Sequence, residues 1–115
     1  MEVKTDDYRV WYDRENATMN FQGLLREGTI ADYKAIEHLL DEALAQELST
    51  LTINIQNLEF IDSSATSVLS RFVIGVRKKK TIQLAVKGSK AIPWQDKLLD
   101  NWHRLMPALT AEWVE

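Results

Sequence analysis

The chain has 115 residues, and its 14 lysine and arginine side chains against 17 aspartate and glutamate side chains give a formal net charge of −3 at pH 7. This length fits one domain over residues 1–115, and 45% hydrophobic with 27% charged residues is the composition of a folded chain, which excludes a disordered one. The absence of cysteine excludes disulfides, thiol catalysis and thiolate metal sites, and it indicates a reducing compartment, the cytoplasm.

The first part of the chain predicts a β-hairpin and then a helix. Apolar and polar side chains alternate over residues 8–13, turn-forming residues follow, and β-branched and apolar side chains resume over residues 18–25. From Thr29 the apolar period becomes that of a helix, and Thr29 with Asp32 resembles a capping box. The apolar stripe of this helix extends to Leu48 and comprises Ile36, Leu39, Leu40, Ala43, Leu44 and Leu48.

The second part predicts alternating strands and helices. Residues 51–55 and 82–86 have the pattern of strands, and the apolar face over residues 65–76 indicates a helix between them. Strands connected by a helix are expected to be parallel, with a right-handed crossover. Pro93 marks the start of a third helix that extends to about Pro107, and residues 111–114 are a candidate last strand. We therefore expect an α/β fold: a small mixed β-sheet with an antiparallel first strand and helices packed against it.

The most informative segment for function is 56–64, because ligands and partners of open α/β sheets bind at the carboxyl ends of the strands. We expect a loop here, in which Leu58 and Phe60 precede Asp62, Ser63 and Ser64 at the start of the second helix. The plainest interpretation of these polar residues is an N-cap, in which a carboxylate or hydroxyl accepts a hydrogen bond from a free amide and contributes about 1 kcal/mol. Spacing alone favours that interpretation.

The sequence of residues 51–69, LTINIQNLEFIDSSATSVL, resembles the central signature of STAS domains, the anti-sigma factor antagonists. In that family a strand and an apolar approach lead to Asp-Ser-Ser/Thr-Gly at the start of a helix. The resemblance implies that Ser63 is phosphorylated by a serine kinase of the histidine-kinase-like ATPase type, which also serves as the anti-sigma factor, and that a PP2C-type phosphatase restores binding. The partner-binding residues that we expect are Leu58, Phe60, Asp62, Ser63, Ser64 and Ala65.

The chain departs from the family pattern at several positions. Ala65 stands where the family usually has glycine, Arg26 replaces an acid of the Gly-Glu-Leu-Asp segment, and residues 27–28 lengthen the approach to the first helix. Little of the final helix of many members is expected after Trp113. These differences predict a partner specificity unlike that of the sporulation and stress members.

Other kinds of site have little support in the sequence. No Gly-x-Ser-x-Gly elbow surrounds a serine, His38 and His103 are too few to anchor a metal, and residues 87–90 are not a phosphate-binding loop. The acidic balance argues against direct nucleic-acid binding, and no signal peptide or transmembrane segment is expected. We therefore predict a non-enzymatic regulatory domain without cofactors. A constitutive scaffold or assembly subunit, such as the small subunit of a lipid transporter, is the alternative.

Two further features have more than one interpretation. Residues 77–80, Arg-Lys-Lys-Lys, end the second helix, where cations complement the helix dipole, although an acidic partner or an anionic membrane is the functional alternative. Four tryptophans are many for this length: Trp94 and Trp102 are expected in the core, and Trp11 is a candidate exposed contact.

Overall fold

A computed structural model describes residues 2–114, in which six strands form one sheet in chain order. Helices connect the last four of these strands in chain order. The strands are Glu2–Lys4 (β1), Tyr8–Asp13 (β2), Thr18–Leu25 (β3), Thr50–Ile61 (β4), Gln83–Ser89 (β5) and Thr110–Val114 (β6), and the helices are Lys34–Leu44 (α1), Ser63–Lys79 (α2) and Trp94–Leu105 (α3).

Strand directions confirm the predicted mixed sheet. The pairs β1–β2 and β2–β3 are antiparallel, and the three pairs from β3 to β6 are parallel, so that β2 alone runs against the other five strands of the described chain. The predicted last strand is confirmed as β6. Strand β1 was not predicted, because three residues with a single apolar side chain, Val3, are too few to show a repeating pattern.

The core lies between one face of the sheet and the helices. In β2 every second side chain is buried in this core. Each of α1, α2 and α3 contributes the apolar side chains of one face to it. Helix α2 packs against both other helices. Trp102 is completely buried, as predicted. Trp94, which was also expected in the core, packs against it but is partly exposed. Trp11 is partly exposed, and the guanidinium of Arg9 lies 4.0 Å from its ring centre. No helix of residues 2–114 is long and apolar enough to cross a bilayer.

The first helix is shorter than its apolar stripe predicted. Thr29 caps a 3₁₀ turn over Ile30–Tyr33, where the Asp32 amide donates to Thr29 Oγ1 at 3.3 Å and the Thr29 hydroxyl donates to Asp32 Oδ2 at 2.7 Å. The α-helix then ends at Leu44, so the extension to Leu48 was wrong. Glu47 has a left-handed backbone, with φ of 54°, which no helix continues through.

The expectation of a loop from residue 56 was also wrong, because β4 continues to Ile61. Its first part pairs with β3 and β5, but residues beyond Asn54 pair with β3 alone. The pairing with β3 has two irregularities at which β4 contains an additional residue, between Asn20 and Gln22 and between Gly23 and Leu24. Bulges of this kind remove the period-two pattern by which a strand is identified. Strand β4 thus extends beyond its pairing with β5 while it remains paired with β3, and we call residues 22–25 of β3 with residues 57–61 of β4 the ribbon.

Candidate functional site

Asp62 joins the end of this ribbon to the start of α2. Its amide donates to the Leu25 carbonyl at 2.9 Å, and its backbone is still extended, with φ of −86° and ψ of 175°. The carboxylate Oδ1 accepts the amide of Ala65 at 2.8 Å, which confirms the predicted N-cap. The last residues of β3 and the first turn of α2 are therefore held together by one residue.

The second carboxylate oxygen of Asp62 binds the segment between β3 and α1, residues 26–33, which we call the site turn. Oδ2 accepts the Gly28 amide at 2.9 Å and the Tyr33 hydroxyl at 3.0 Å. Gly28 has φ of +94°, a conformation that favours glycine. Asp62 thus fixes the site turn against the helix start in addition to capping the helix.

Two tyrosines complete this network. The hydroxyl of buried Tyr33 accepts the Glu27 amide at 2.8 Å while it donates to Asp62, and the Tyr8 hydroxyl donates to Glu27 Oε2 at 3.2 Å. Burial raises the pKa of Tyr33 far above its usual value, and the hydrogen bond to Asp62 adds to this increase. Burial, together with the charge of Glu27, raises the pKa of Tyr8 to about 12. Both hydroxyls therefore remain hydrogen-bond donors at neutral pH.

Ser63 and Ser64 have different surroundings. The Ser64 hydroxyl donates to the Gly28 carbonyl at 3.2 Å and is partly buried. Ser63 is exposed, and its hydroxyl has no hydrogen-bond partner within residues 2–114. The amides of the first helical positions, Ser63 and Ser64, have no intrahelical acceptor. Ser63 is consequently the accessible hydroxyl, next to two free amide donors.

Two exposed apolar side chains lie on segments that meet at Asp62, the residue before Ser63. Within residues 2–114, Phe60 at 46% and Ile30 at 38% are the exposed large hydrophobic side chains. Phe60 is three residues before Ser63, and Ile30 lies in the site turn that Asp62 holds. Of the residues predicted to bind a partner, Phe60 and Ser63 are exposed, and Asp62 and Ser64 are partly so.

The two remaining predicted partner contacts lie in the core. Leu58 is 0% exposed and Ala65 is 2% exposed, so neither side chain presents a surface to a partner in this structure. Their positions follow from the bulged register of β4 and from the inward face of α2.

Gln95, which the sequence reasoning did not single out, holds β4 where β5 no longer pairs with it. This buried side chain donates to the carbonyls of Ile55 at 2.7 Å and Leu58 at 3.1 Å, and it accepts the Ser89 amide at 2.8 Å. Next to it, Trp94 Nε1 donates to the Glu59 carbonyl at 3.0 Å. In the sequence, the position of Gln95 three and seven residues before the apolar Leu98 and Trp102 places it on the buried face of α3, and this spacing could have identified it.

The rim of the site is acidic. Glu27, Asp32 and Glu59 are exposed around it, whereas the cation of the site turn, Arg26, is paired with Asp7 at 2.9 Å. The hydrogen bond from Arg26 lowers the pKa of Asp7. An anion added at this surface would therefore be repelled by these carboxylates, and Arg26 is not free to neutralise it.

Neither histidine forms a hydrogen bond with Asp62, Ser63 or Ser64 within residues 2–114. His38 is exposed on α1, and His103 Nε2 lies 2.9 Å from the Leu109 carbonyl oxygen. Among residues 2–114, no three histidine or carboxylate side chains are grouped as metal ligands would be.

Comparison with known proteins gives matches of fold rather than of sequence. No protein-family model and no curated protein matches the chain. A solved complex of the diguanylate cyclase SiaD with its activator SiaC from Pseudomonas aeruginosa contains a chain that is similar with a TM-score of 0.73 at 10% identity, covering 97% of this chain and 99% of that one. A structure of SiaC of Pseudomonas aeruginosa is also similar, with a TM-score of 0.73 at 9% identity, covering 99% of this chain and 98% of that one.

An anti-sigma factor antagonist from Mycobacterium paratuberculosis is similar with a TM-score of 0.60 at 15% identity, covering 96% of this chain and 82% of that one. The chain therefore has the fold that the STAS resemblance predicted.

Proposed function

We propose that this chain is a non-enzymatic regulatory domain of the cytoplasm that binds a partner protein through the surface formed by Ile30, Phe60 and Ser63, and that phosphorylation of Ser63 switches the binding off. The observation that supports this proposal is the position of Ser63: an exposed hydroxyl directly after Asp62, which connects the end of β4, with exposed Phe60, to the site turn, with exposed Ile30. The proposed partners are a serine kinase of the histidine-kinase-like ATPase type that acts as an anti-sigma factor, and a PP2C-type phosphatase.

The apolar side chains would supply the binding energy. Aromatic anchors that enter a pocket of the partner commonly dominate an interface, and fully burying a phenylalanine contributes about 1.5–3 kcal/mol. Phe60 projects from the ribbon of β3 and β4, which Gln95 and Trp94 hold from below. Ile30 is fixed by the contacts of the site turn with Asp62. Both anchors are therefore ordered before a partner arrives, which reduces the entropic cost of binding.

The phosphoryl group would act on binding and leave the fold intact. It adds a charge of about −1.5 to −2, and the free amides at the start of α2 can donate hydrogen bonds to an anion there. Beside it stand Asp62 and the exposed carboxylates of Glu27, Asp32 and Glu59. An apolar or acidic partner surface would then have to approach a concentrated negative charge, which strongly disfavours docking.

A second candidate function is constitutive binding to a partner such as an enzyme, without phosphorylation. The complex of SiaC with a diguanylate cyclase favours it, because there a protein of this fold binds an enzyme of which it is the activator. In both candidates the surface around Phe60 binds the partner. They differ in whether Ser63 controls that binding.

Mass spectrometry of the chain isolated from its own cells tests the phosphorylation. We expect a single phosphoryl group, located at Ser63 by peptide mapping. The Ser64→Ala variant is the matched control and should be modified like the wild type, while Ser63→Ala should not be modified. Equal modification of Ser63→Ala and the wild type would exclude Ser63 as the switch.

Co-purification with tagged variants tests the binding. We expect Ser63→Ala to retain the partner in the presence of ATP, and Ser63→Asp and Phe60→Ala each to reduce its recovery about tenfold. Asn101→Asp, an equal charge change on the exposed side of α3, should have no effect. A stoichiometric complex that is indifferent to ATP and to Ser63→Asp would favour the second candidate.

A further inference from the structure

The end of α2 opposite Ser63 is strongly basic. Arg77, Lys78, Lys79 and Lys80 are all exposed, and we call them the basic end. The other 111 residues carry ten lysine and arginine side chains against seventeen aspartate and glutamate side chains, a formal charge of −7. The 17 residues of α2 place the basic end about 25 Å from Ser63. The molecule thus has opposite electrostatic character at the two ends of this helix.

Structural roles account for only part of this charge. Arg77 Nη1 donates to the Leu105 carbonyl at 2.9 Å and thereby satisfies the end of α3. The ion pairs of residues 2–114 are Arg9–Glu2, Arg26–Asp7 and Arg71–Glu37, so Lys78, Lys79 and Lys80 take part in none of them. Three exposed ammonium groups remain available for an external anion.

A groove with an apolar floor lies beside Lys80, the last of these lysines. It has a volume of about 500 Å³ and lies between the end of α2, the start of β5 and the segment that connects α3 with β6. Val76, Ile82 and Met106 are buried beneath it, and Arg77 and Lys80 form its basic rim. A volume of this size accommodates one or two side chains of a peptide.

Lys80 occupies a backbone position that favours glycine. It follows the last helical residue with φ of 61° and ψ of −6°, the left-handed conformation in which helices commonly end on glycine. A side chain at such a position destabilises the fold relative to glycine. The chain nevertheless carries a lysine there, on the rim of the groove.

We infer that this groove binds an acidic segment of a partner protein that also carries an apolar side chain. The carboxylates would pair with Lys78, Lys79 and Lys80, and the apolar side chain would lie over Ile82 and Met106. A membrane is a poorer fit, because stable binding to a bilayer combines cations with exposed apolar side chains, and the exposed large apolar side chains of residues 2–114, Ile30 and Phe60, lie near the other end of α2. The domain would therefore bind two partners at once, one at each end of α2.

Fluorescence anisotropy with a labelled peptide of six glutamates and two leucines tests this inference. We expect wild-type protein to bind it, with affinity that decreases as salt is raised. Peptides with glutamine in place of glutamate, or glycine in place of leucine, should bind at least about tenfold more weakly. Backbone NMR shifts should change at residues 76–83 and 106–108 and not around Ser63.

Charge variants locate the site. The triple variant Lys78→Gln, Lys79→Gln, Lys80→Gly should lose at least about tenfold in affinity. Lys34→Gln, Lys90→Gln, Lys97→Gln removes the same charge from other exposed positions and should remain within about twofold of wild type. The single variant Lys80→Gly should bind more weakly although its midpoint of unfolding rises, which separates a lost contact from a lost fold.

Two outcomes would overturn the inference. One is an equal loss of affinity in both triple variants, which would assign the binding to net charge. The other is binding to phosphatidylserine vesicles without binding to the peptide, which would assign the basic end to a membrane surface. Neither outcome bears on phosphorylation of Ser63, which the mass measurement tests separately.

Discussion

Tyr33 and Asp62, 29 residues apart in the chain, share a hydrogen bond of 3.0 Å between the tyrosine hydroxyl and Oδ2 of the carboxylate. The same hydroxyl accepts the Glu27 amide, and the same carboxylate caps α2. This pair therefore connects the site turn, which carries Ile30, to the helix start, which carries Ser63. The relative positions of the exposed residues of the site depend on it.

Replacing Tyr33 by phenylalanine should destabilise the fold. The variant Tyr33→Phe leaves the Glu27 amide without its acceptor and Asp62 without one of its donors at a buried position, so we expect a decrease of about 1–3 kcal/mol in the free energy of unfolding. Urea unfolding measures it. Tyr8→Phe removes one hydrogen bond to the exposed Glu27 and should cost less than about 1 kcal/mol. Equal losses in the two variants would contradict a special role for Tyr33.

Removing the amide of Gln95 should loosen the ribbon that carries Phe60. Gln95→Leu leaves two carbonyls and one amide unpaired in the core, and we expect a loss of about 2–4 kcal/mol. Hydrogen exchange should become faster at residues 58–62. Gln22→Leu, at an exposed position of β3, is the matched control and should stay within about 0.5 kcal/mol of wild type. Unchanged exchange in Gln95→Leu would show that other contacts hold the ribbon.

Two glycines with similar backbones should respond differently to alanine. Gly23 and Gly28 have φ of +97° and +94°, but a Cβ at Gly23 would lie 2.3 Å from the Asp7 carbonyl oxygen, whereas one at Gly28 would have no atom within 4 Å. We expect Gly28→Ala to cost about 1 kcal/mol, from backbone strain alone. Gly23→Ala should cost about 3 kcal/mol or more, because the backbone of Asp7 and Tyr8 must move. Chemical unfolding of both variants tests the difference, and similar costs would contradict it.

Stability should decrease at alkaline pH because of the buried tyrosines. In the folded chain burial raises the pKa of Tyr8 from its usual 10.0 to about 12, and the pKa of Tyr33 is raised as well. The unfolded chain therefore loses these protons first, so the contribution is fully present below pH 10 and is lost as the pH rises towards 12. Unfolding free energies measured from pH 8 upwards should show this decrease, and Tyr33→Phe should reduce its slope. A stability that does not change above pH 10 would contradict the prediction.

The amino-acid sequence by itself determined the presence of the three helices, five of the six strands of the described chain and the cap of α2. These features depend on local patterns: the period of 3.6 over residues 65–76, the alternation over residues 8–13, and a carboxylate directly before a helix at Asp62. Each pattern acts over a few residues, and for that reason it can be identified without knowledge of what lies across the sheet. The single reversed strand followed from the same short-range evidence, because a short turn requires antiparallel neighbours.

Only the tertiary structure decided which residues of the site are available to a partner. The bulged pairing with β3 extends β4 to Ile61 and buries Leu58, although the sequence indicates an exposed loop. Tyr33 meets Asp62 and Gln95 meets Ile55 across separations of 29 and 40 residues. Such contacts form because buried polar groups require partners, and the chain order does not reveal which partner is near. Ser63 could be named from the sequence, but its neighbours Phe60 and Ile30 emerge as a surface only in the folded chain.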